Sequence, residues 1–453
     1  MRFLVIISFL SMLFWGSCSK FVDIDPPKNE VAGGLAFADD QTAEAAVVGM
    51  YANMNSFNYQ FANVLGNILV GMSADEIYYA ASFASFDEFR YNKLSVSNSY
   101  VGMLWSQPYA LIYQANACLE GLEKSTALSR SVKTTLKGEA LFVRSFCYFY
   151  LVNYFGDVPL ILTTDYLVNN KLGRTDIQTI YDTIESNLDQ AAMLLTDTYT
   201  GDAGRIRPNK SAAEALAARV ALYRKEWTKA AAMATSVVDD PQYTLEANLN
   251  NVFLTTSKEA IWQLESVSPG RNTFEGNTMV PVSTPYYRLY PELIASFETG
   301  DKRLKDWIGV DSSGTTPVYY PLKYKVRVST EVTENSTVLR LAEQYLIRAE
   351  ANAELGKMSA AIEDLNVIRR RAGIEELSSS LDKAAVLKQV AMERRQELFT
   401  EWGHRWLDLI RTEKAAAVLQ PLKPDWQNTD TLYPIPLDAI STNEALTQNP
   451  GYK

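Results

Sequence analysis

The stretch L-R-L-A-E-Q-Y-L-I-R-A-E-A-N-A-E-L-G-K-M-S-A-A-I-E-D-L-N-V-I-R-R-R-A-G, residues 339–373, decides the fold. Apolar and small residues recur there at the spacing of one helix face, Gly356 interrupts the run, and the pattern then resumes. The first face carries Leu341, Tyr345, Ala349 and Ala353, and the second Ala360, Ala361, Leu365 and Ile368. Small residues on facing helices let two backbones approach closely, as in stacked helix-pair repeats. The pattern predicts a helical hairpin belonging to such a scaffold.

A densely charged segment follows at residues 391–411, A-M-E-R-R-Q-E-L-F-T-E-W-G-H-R-W-L-D-L-I-R. Its charged side chains are Glu393, Arg394, Arg395, Glu397, Glu401, Arg405, Asp408 and Arg411. Glu401 and Arg405 stand four apart, which predicts one shared helix face beside an apolar stripe of Leu398, Trp402, Trp406 and Leu409. Because every carboxylate has an arginine within reach, we interpret the group as a structural ion-pair network rather than a catalytic site.

This segment resembles the C-terminal signature of the SusD/RagB lipoproteins. The matching residues are Glu393-Arg394-Arg395-x-Glu397-Leu398-x-x-Glu401 and Gly403-x-Arg405-x-x-Asp408-Leu409-x-Arg411. The family usually has Glu-Gly where this chain has Glu401-Trp402-Gly403. The segment F-G-D-V-P-L at 155–160 and the closing motifs at 432–436 and 448–452 are also similar to the family, so the resemblance covers nearly the whole mature chain.

Membership of that family would make the chain a surface nutrient-binding partner of a SusC-like TonB-dependent transporter. The resemblance implies an oligosaccharide ligand captured over the mouth of the transporter, with the chain acting as a lid. An oligopeptide ligand on the same architecture is the alternative, because no feature of the sequence separates the two ligand classes.

The N-terminus predicts export and lipidation. Arg2 precedes 13 mostly apolar residues, Phe3 to Trp15, a run too short to span a bilayer, so residues 1–17 are interpreted as a signal peptide. Gly16-Ser17-Cys18 resembles a lipobox, which would make a lipidated Cys18 the mature N-terminus. Residues 18–38, with two adjacent prolines, are predicted to be the lipidated N-terminus and tether. The expected location is the outer membrane, lipid-anchored and facing the cell surface.

Residues 39–453 are predicted to be one SusD-like domain of mainly α fold. The expected architecture is a tetratricopeptide-like helical-repeat scaffold of four helix pairs, with loop-rich insertions and a few short strands. The pairs are placed at about 39–125, 134–195, 209–240 and 339–371, and the variable ligand-side insertions at about 56–100 and 243–338. Three Glu-x4-Arg pairs mark the repeat: Glu139 and Arg144, Glu214 and Arg219, Glu343 and Arg348. Residues 57–99 lose helical periodicity, and 259–264 and 319–328 are predicted to be strands.

The residue inventory argues against catalysis. The only histidine, His404, is assigned to the surface. A single imidazole excludes histidine-rich metal sites and argues against a Ser-His-Asp arrangement. No phosphate loop, dinucleotide fingerprint or calcium loop is present, so we predict no catalytic residue, no metal and no cofactor. The enzyme alternative would need two carboxylates at one bond, and Asp75-Glu76 or Asp87-Glu88 would be the candidates, both expected in solvated loops.

Composition favours binding. A net charge of −10 argues against nucleic acid, and 25 tyrosines supply the flat faces that sugars contact. The predicted ligand-binding residues lie in the two insertions: Tyr78, Tyr79, Phe83, Phe86, Arg90, Tyr91, Arg271, Asn272 and Phe274. Trp105 is assigned to the core. Cys118 and Cys147 are interpreted as buried thiols, with a disulfide left open.

Overall fold

A computed structural model describes residues 35–200 and 204–453. The predicted signal peptide, the lipidated Cys18 and the tether as far as residue 34 lie outside the described residues. Within the described part the chain is mainly α-helical.

The α-helices, in chain order, are α1 (Asp40–Met54), α2 (Val70–Ser73), α3 (Ala84–Tyr91), α4 (Ser99–Lys124), α5 (Arg130–Phe155), α6 (Tyr166–Asn169), α7 (Ile177–Leu194), α8 (Lys210–Tyr223), α9 (Trp227–Val238), α10 (Phe274–Met279), α11 (Pro291–Ile294), α12 (Lys302–Asp306), α13 (Leu341–Glu354), α14 (Met358–Ala372), α15 (Lys383–Glu397), α16 (His404–Arg411), α17 (Ala415–Leu419) and α18 (Leu437–Thr442). A helical segment with wider turns, Phe61–Leu69, precedes α2, and short 3₁₀ turns occupy Leu249–Asn251 and Asn428–Thr431.

The strands form three small antiparallel ribbons. They are β1 (Ile77–Tyr79), β2 (Ala260–Leu264), β3 (Tyr287–Leu289), β4 (Ile308–Asp311), β5 (Val318–Pro321) and β6 (Ser336–Arg340). β1 pairs with β3, β2 with β6, and β4 with β5.

The repeat scaffold is a stack in which each long helix packs on the next. α1 lies on α4, α4 on α5, α5 on α7, and the stack continues through α8, α9, α13 and α14. The four pairs are therefore α1 with α4, α5 with α7, α8 with α9, and α13 with α14. The predicted mainly α repeat fold is confirmed, including the helical hairpin at residues 341–372.

Local sequence explains where these helices begin and end. The Asp39 carboxylate caps α1 by accepting a hydrogen bond from the backbone N–H of Thr42. α5 ends at Gly156, whose φ of 72° lies in the left-handed region that glycine adopts without strain. Gly356, at φ 80°, makes the turn between α13 and α14 in the same way.

The centre of the core is aromatic. Trp262 of β2 is fully buried, and its ring meets the edges of Phe142 and Phe146 from α5 and of Tyr51 from α1. The indole N–H donates to the carbonyl of Ile206. The β2–β6 ribbon is thereby fixed against the first two helix pairs.

Two sequence predictions in the insertions are corrected. Residues 57–99 contain helix at Phe61–Ser73 and at α3. In Phe61–Ser73 every residue is buried, so the apolar residues show no single face. The predicted strand at 319–328 ends at Pro321, because proline has no backbone N–H to continue the ladder.

The charged C-terminal segment is not one helix, which also corrects a prediction. α15 ends at Glu397, and Thr400, Trp402 and Gly403 all have positive φ before α16 begins. Glu401 therefore lies in a tight bend and does not share a helix face with Arg405. The bend directs the Glu401 carboxylate into the protein interior, where it contacts side chains from other parts of the chain.

A buried ion-pair network, centred on Glu397 and Arg340, joins these elements. Arg340 of β6 donates to the carboxylates of Glu259, Glu397 and Glu401 at 2.7–2.9 Å. Arg371 of α14 bridges Glu259 and Glu397. Arg303 of α12 binds Asp301, Glu393 and Glu397, and Lys323 binds Glu401. These side chains are almost wholly buried, so their charges depend on one another.

The remaining predicted network members pair close by. Arg394 and Arg411 both donate to Asp408, and Arg411 also pairs with Glu350 of α13. Arg395 and Arg405 both hold Asp75. The segment 393–411 thus contacts the fourth helix pair on one side and the start of β1 on the other.

The three Glu-x4-Arg pairs do not pair internally, since five residues separate the charges around a helix. Glu139 binds Arg207, and Arg219 binds Glu343 across 124 residues. Arg348 binds Asp364 of α14. Arg219 with Glu343 therefore connects the third helix pair to the fourth, and Arg348 with Asp364 connects the two helices of the fourth pair.

His404, Cys118 and Cys147 are all buried. His404 is buried, which corrects its assignment to the surface, and burial together with the charge of Arg219 lowers its imidazole pKa well below the usual range. His404 is consequently neutral in the folded protein.

Cys118 and Cys147 are buried free thiols, and burial raises the pKa of Cys118 to about 12.

Replacing Glu397 by glutamine should destabilise the fold strongly. Burial opposes the Glu397 charge, yet Arg371, Arg340 and Arg303 outweigh that cost and hold its pKa well below the usual range. Removing the carboxylate leaves these guanidinium groups buried without their shared partner. We expect a loss of about 3–5 kcal/mol in the free energy of unfolding, measured by urea denaturation followed by circular dichroism.

The matched control is Glu363→Gln, because Glu363 pairs with Arg370 on the exposed side of α14. It should change the free energy of unfolding by less than about 1 kcal/mol. Equal losses for the two variants would contradict the central role assigned to Glu397.

Candidate functional site

The β1–β3 ribbon organises the candidate site. Successive side chains of a strand point to opposite faces, so Tyr78 and Tyr79 of β1 are presented on different sides. Across the ladder Tyr78 stands opposite Arg288 and Tyr79 opposite Tyr287. The sequence predicted both tyrosines as ligand contacts, and the ribbon assigns them to separate surfaces.

Buried charges hold the root of this ribbon. The Asp75 carboxylate accepts from Arg405 Nε at 2.7 Å and from Arg395 Nη2 at 2.6 Å. Burial opposes its charge, but the Arg405 and Arg395 guanidinium groups lower the Asp75 pKa. One residue later the Glu76 carbonyl accepts from the N–H of Tyr290. The position of the ribbon is therefore set by the charged C-terminal segment.

We call the aromatic surface on the Tyr79 side the platform: Tyr59, Tyr79, Phe83, Phe86, Tyr100, Tyr286 and Tyr287. The rings of Tyr79 and Tyr286 lie 5.7 Å apart and are inclined by only 31°. Tyr286 is 53% exposed and Phe83 43% exposed, whereas Phe86 is buried beneath them. The platform thus offers open ring faces supported by a layer of buried rings.

The platform continues toward the second insertion. Tyr59 contacts the ring of Phe274 at 5.4 Å, and Phe274 contacts Phe57 at 4.9 Å. The Arg271 guanidinium lies 5.1 Å from the centre of the Phe57 ring. Two of the predicted residues from residues 271–274, Arg271 and Phe274, therefore join those of the first insertion in one surface.

A groove of about 260 Å³ opens beside the platform. It is lined by Tyr79, Asn277, Thr278, Met279, Val280, Pro281, Val282, Ser283, Thr284, Tyr286, Tyr287 and Arg327. Aromatic faces thus adjoin amide, hydroxyl and guanidinium groups. That combination can hold a ring of C–H groups and hydroxyls, with stacking from one side and hydrogen bonds from the other.

The opposite face of the ribbon carries the predicted residues Tyr78, Arg90 and Tyr91. The Arg90 guanidinium lies 4.5 Å from the Tyr78 ring centre and 5.2 Å from that of Tyr91. Tyr78 in turn contacts Tyr290 at 5.0 Å. This group packs α3 onto the ribbon, although Tyr91 remains 43% exposed.

Asn272 cannot serve as the ligand contact that the sequence predicts. It is 2% exposed, and its amide oxygen accepts from the N–H groups of Thr333 and Glu334. Its amide nitrogen donates to the carbonyl of Glu331. All the hydrogen bonds that the Asn272 side chain makes go to the 331–334 segment. Asn272 therefore fixes the loop that carries Arg271.

Tyr286, Tyr287 and Arg327 are site residues that the sequence analysis missed. The signal for the tyrosines was available: P-Y-Y-R-L-Y at 285–290 repeats the adjacent tyrosines of I-Y-Y at 77–79. Paired aromatic runs are typical of cross-strand partners. Arg327 follows the strand at 318–321 by six residues, and nothing in its neighbourhood marks it without the fold.

A second cavity of about 700 Å³ lies between α4 and α18, lined in part by Trp105, Tyr109 and Leu437. Trp105 is 8% exposed, as its assignment to the core predicts, and its ring packs against Phe155 at 5.0 Å. The aromatic rings in this cavity are turned toward the core. The platform presents more exposed ring area and is the better candidate site.

The described residues offer little support for a metal site or for catalysis by paired carboxylates. Residues 35–200 and 204–453 contain no cluster of three or more histidine, cysteine, aspartate or glutamate side chains suited to a metal. Asp75 and Glu76, considered above as a catalytic pair, are both buried rather than solvated, and Asp75 is committed to two arginines. Among the helices of the same residues, none combines the length and apolarity that crossing a bilayer requires.

Comparison with known families gives two matches. Residues 20–222 match the family described as "Starch-binding associating with outer membrane", and residues 305–452 match the SusD family. Among curated proteins, SusD-like protein P25 of Formosa agariphila is 25% identical over 516 aligned positions, covering 96% of this chain and 97% of that protein. A SusD-like protein of Bacteroides ovatus is 24% identical over 90% of this chain and 82% of its own length.

Solved structures give the same fold. A SusD superfamily protein from Bacteroides vulgatus superposes with a TM-score of 0.81 at 23% identity, over 92% of this chain and 100% of that chain. A laminarin-binding SusD-like protein superposes with a TM-score of 0.78 at 25% identity, over 91% of this chain and 99% of that chain.

Glu76 generates a pH-dependent prediction. Burial, and then the charge of Asp75, raise the pKa of Glu76 to about 8, from an ordinary value of 4.5. A raised pKa contributes stability that is complete below the ordinary value and is lost as pH rises through the folded value. We expect this group to lower the free energy of unfolding between pH 5 and 8, by at most about 1.4 kcal/mol per pH unit.

Glu76→Gln tests this because glutamine matches the shape of the neutral acid and still accepts from Thr400 N–H. The stability of the variant relative to the wild type should rise from pH 5 to pH 8, as measured by urea denaturation. The internal control is pH 4, where the two proteins should be nearly equal. A constant difference across this range would show that Glu76 titrates normally.

Proposed function

The chain belongs to the SusD/RagB family, and we propose that it is a cell-surface lipoprotein that captures oligosaccharides and delivers them to a SusC-like TonB-dependent transporter as a hinged lid. Proteins of this family are outer-membrane associated and bind carbohydrate rather than act as enzymes. The single observation that carries the ligand class is the exposed platform beside a groove with polar walls.

The chemistry of the platform supports a sugar ligand. A pyranose ring has C–H faces that stack on aromatic rings, and Tyr79 with Tyr286 supply two neighbouring rings inclined by 31°. Its hydroxyl groups need planar or hydroxylic partners, which Asn277, Thr278 and Ser283 can provide from the groove wall. The laminarin-binding protein with the same fold agrees with this ligand class.

We assign the ligand-contacting role to Tyr79, Phe83 and Tyr286, with Arg271 and Phe274 at the distal end of the platform. Phe86 supports these rings from below. Tyr78, Arg90 and Tyr91 brace the other face of the ribbon. The rigid root at Asp75 supports binding, because a site already held in shape loses less conformational entropy when the ligand arrives.

Delivery requires an anchor and a partner. We propose that Cys18 is lipidated and that residues 18–38 form the lipidated N-terminus and tether. The stacked helix pairs supply the broad surface that a large partner needs, so we propose that they face the transporter. This places the platform and the transporter contact on different parts of the chain.

Removing the platform rings should weaken glycan capture. Tyr79→Ala and Tyr286→Ala each remove one stacking face, and we expect each to weaken binding about tenfold, with a larger loss for the double variant. Isothermal titration calorimetry of the full chain in detergent, against panels of oligosaccharides and oligopeptides, measures the effect.

Tyr166→Ala is the control, because Tyr166 is 70% exposed on α6, away from the ribbon. It should leave the affinity unchanged. Binding of oligopeptides but of no oligosaccharide would replace the proposed ligand class. Oligosaccharide binding that survives the double variant would place the site elsewhere.

The delivery role predicts a stable complex. The full chain, co-expressed with a SusC-like TonB-dependent transporter from the same organism, should co-purify with that transporter after detergent extraction. Deletion of the chain should reduce glycan uptake without lowering the amount of transporter. The Tyr79→Ala, Tyr286→Ala double variant should keep the complex and lose uptake.

Cys18→Ala should release the chain from the membrane fraction and leave its folded stability unchanged.

Two results would contradict the delivery role: a chain that is monomeric, without the transporter, after detergent extraction, or normal glycan uptake in cells that lack the chain.

A further inference from the structure

The arginines of this protein are of two kinds. Those of the scaffold and of the charged C-terminal segment are mostly paired with carboxylates, as Arg219 is with Glu343 and Arg340 with Glu397. Four arginines around the β1–β3 ribbon have no carboxylate oxygen within 4.0 Å among the described residues: Arg90, Arg271, Arg288 and Arg327. The protein has a net charge of −10, so carboxylates are abundant. It is therefore unusual that these four positive charges lie together around the ribbon.

Other arginines without a carboxylate partner have a structural use for their donors. Arg144 donates to the side-chain oxygens of Asn116 and Asn187, and Arg174 donates to three carbonyl groups and to Asn449. Arg90 is stacked between Tyr78 and Tyr91, as described above. The guanidinium of Arg327, by contrast, has no such hydrogen bond within residues 35–200 and 204–453.

Arg327 lines the groove that contains Tyr79 and Tyr286. It is the only charged residue among those that line this groove, and its side chain is exposed. Its backbone is fixed, because Asn277 donates to its carbonyl at 3.0 Å and Glu334 accepts from the N–H groups of Lys325 and Val326. The loop is thus held in place while the guanidinium remains available to a ligand.

A second positive charge lies along the same surface. Arg271 rests on Phe57 at the distal end of the platform and also lacks a carboxylate within 4.0 Å in the described part of the chain. Glu331, the acidic residue of the neighbouring loop, is exposed and approaches neither Arg271 nor Arg327 within that distance. The acidic residues Glu275 and Glu334, nearest along the chain to the groove, are buried and bonded inward.

Guanidinium groups bind carboxylate and sulfate through two parallel hydrogen bonds, more strongly than they bind neutral hydroxyls. An arginine whose guanidinium group has no fixed partner in the protein can make these two hydrogen bonds to a ligand. We infer that the groove takes an anionic oligosaccharide, one that carries a carboxylate or a sulfate ester, and that Arg327 binds the anionic group while Tyr79 and Tyr286 stack on the sugar ring.

This inference rests on the proposed glycan-binding function and adds the charge of the ligand to it. Arg271 would bind a second anionic group farther along the chain of sugars. A polymer with regularly spaced charges therefore fits the surface better than a neutral one.

The test compares three oligosaccharides of matched length with the full chain in detergent: oligogalacturonides for carboxylate, carrageenan oligosaccharides for sulfate, and laminarin oligosaccharides as the neutral reference. Calorimetry at 50 and 200 mM salt gives affinity and its salt dependence. The wild type should bind one of the anionic classes more tightly than laminarin, and that preference should weaken at higher salt.

Arg327→Gln should weaken binding of that anionic class at least tenfold, a loss several times larger than any that it causes for laminarin. Arg327→Lys should recover part of the loss, because lysine keeps the charge but not the planar fork. Arg130→Gln is the control: Arg130 is exposed, starts α5 and has no ion pair in the described residues. It should have no effect on any of the three ligands.

Failure of this inference and failure of the proposed function would give different results. Laminarin binding that equals or exceeds the binding of both anionic classes, or anionic binding that Arg327→Gln leaves intact, overturns the inference and leaves glycan capture standing. Absence of binding to all three oligosaccharides, with circular dichroism showing a folded protein, overturns the proposed function itself.

Discussion

The shared burial of Arg340 and Glu397 is the interaction on which the rest of this structure depends. Neither charge is stable in an apolar interior alone, so each requires the other and the partners that they recruit from β2, α12, α14 and the bend at residues 398–403. Elements separated by more than 100 residues in sequence are brought to one point. The network gives the C-terminal segment one register on the helix pairs, because any shift would leave a charge buried and unpaired.

The same constraint reaches the platform through Asp75. Its two arginines, Arg395 and Arg405, belong to the segment that contains Glu397, so the root of the β1–β3 ribbon is tied to the network. Strand alternation then divides the tyrosines that follow: Tyr79 joins the platform, and Tyr78 packs with Arg90. The scaffold thus carries the aromatic loops, and the position of Tyr79 depends on charged residues that are distant from it in the sequence.

Buried and exposed arginines consequently serve different ends. In the interior their charges are neutralised by carboxylates and stabilise one arrangement of the elements. Around the groove Arg327 has no carboxylate partner among the residues that the structure describes, although the protein as a whole is acidic. A free guanidinium beside stacked rings contributes little to stability, so its contribution is expected in ligand binding.

The sequence by itself determined the mainly α repeat fold, the hairpin at 341–372 and the family resemblance, because helix periodicity, glycine breaks and a dense charge signature are local properties. It also placed Tyr79, Phe83 and Phe274 within the aromatic surface. It failed for Glu401, Arg405 and His404, where positive φ at residues 400–403 replaced a continuous helix, and for Asn272, whose amide is consumed by the 331–334 segment. Only the tertiary structure brought Tyr286, Tyr287 and Arg327 to Tyr79, since strand pairing and loop packing join residues about 200 positions apart and leave no periodic trace in the chain.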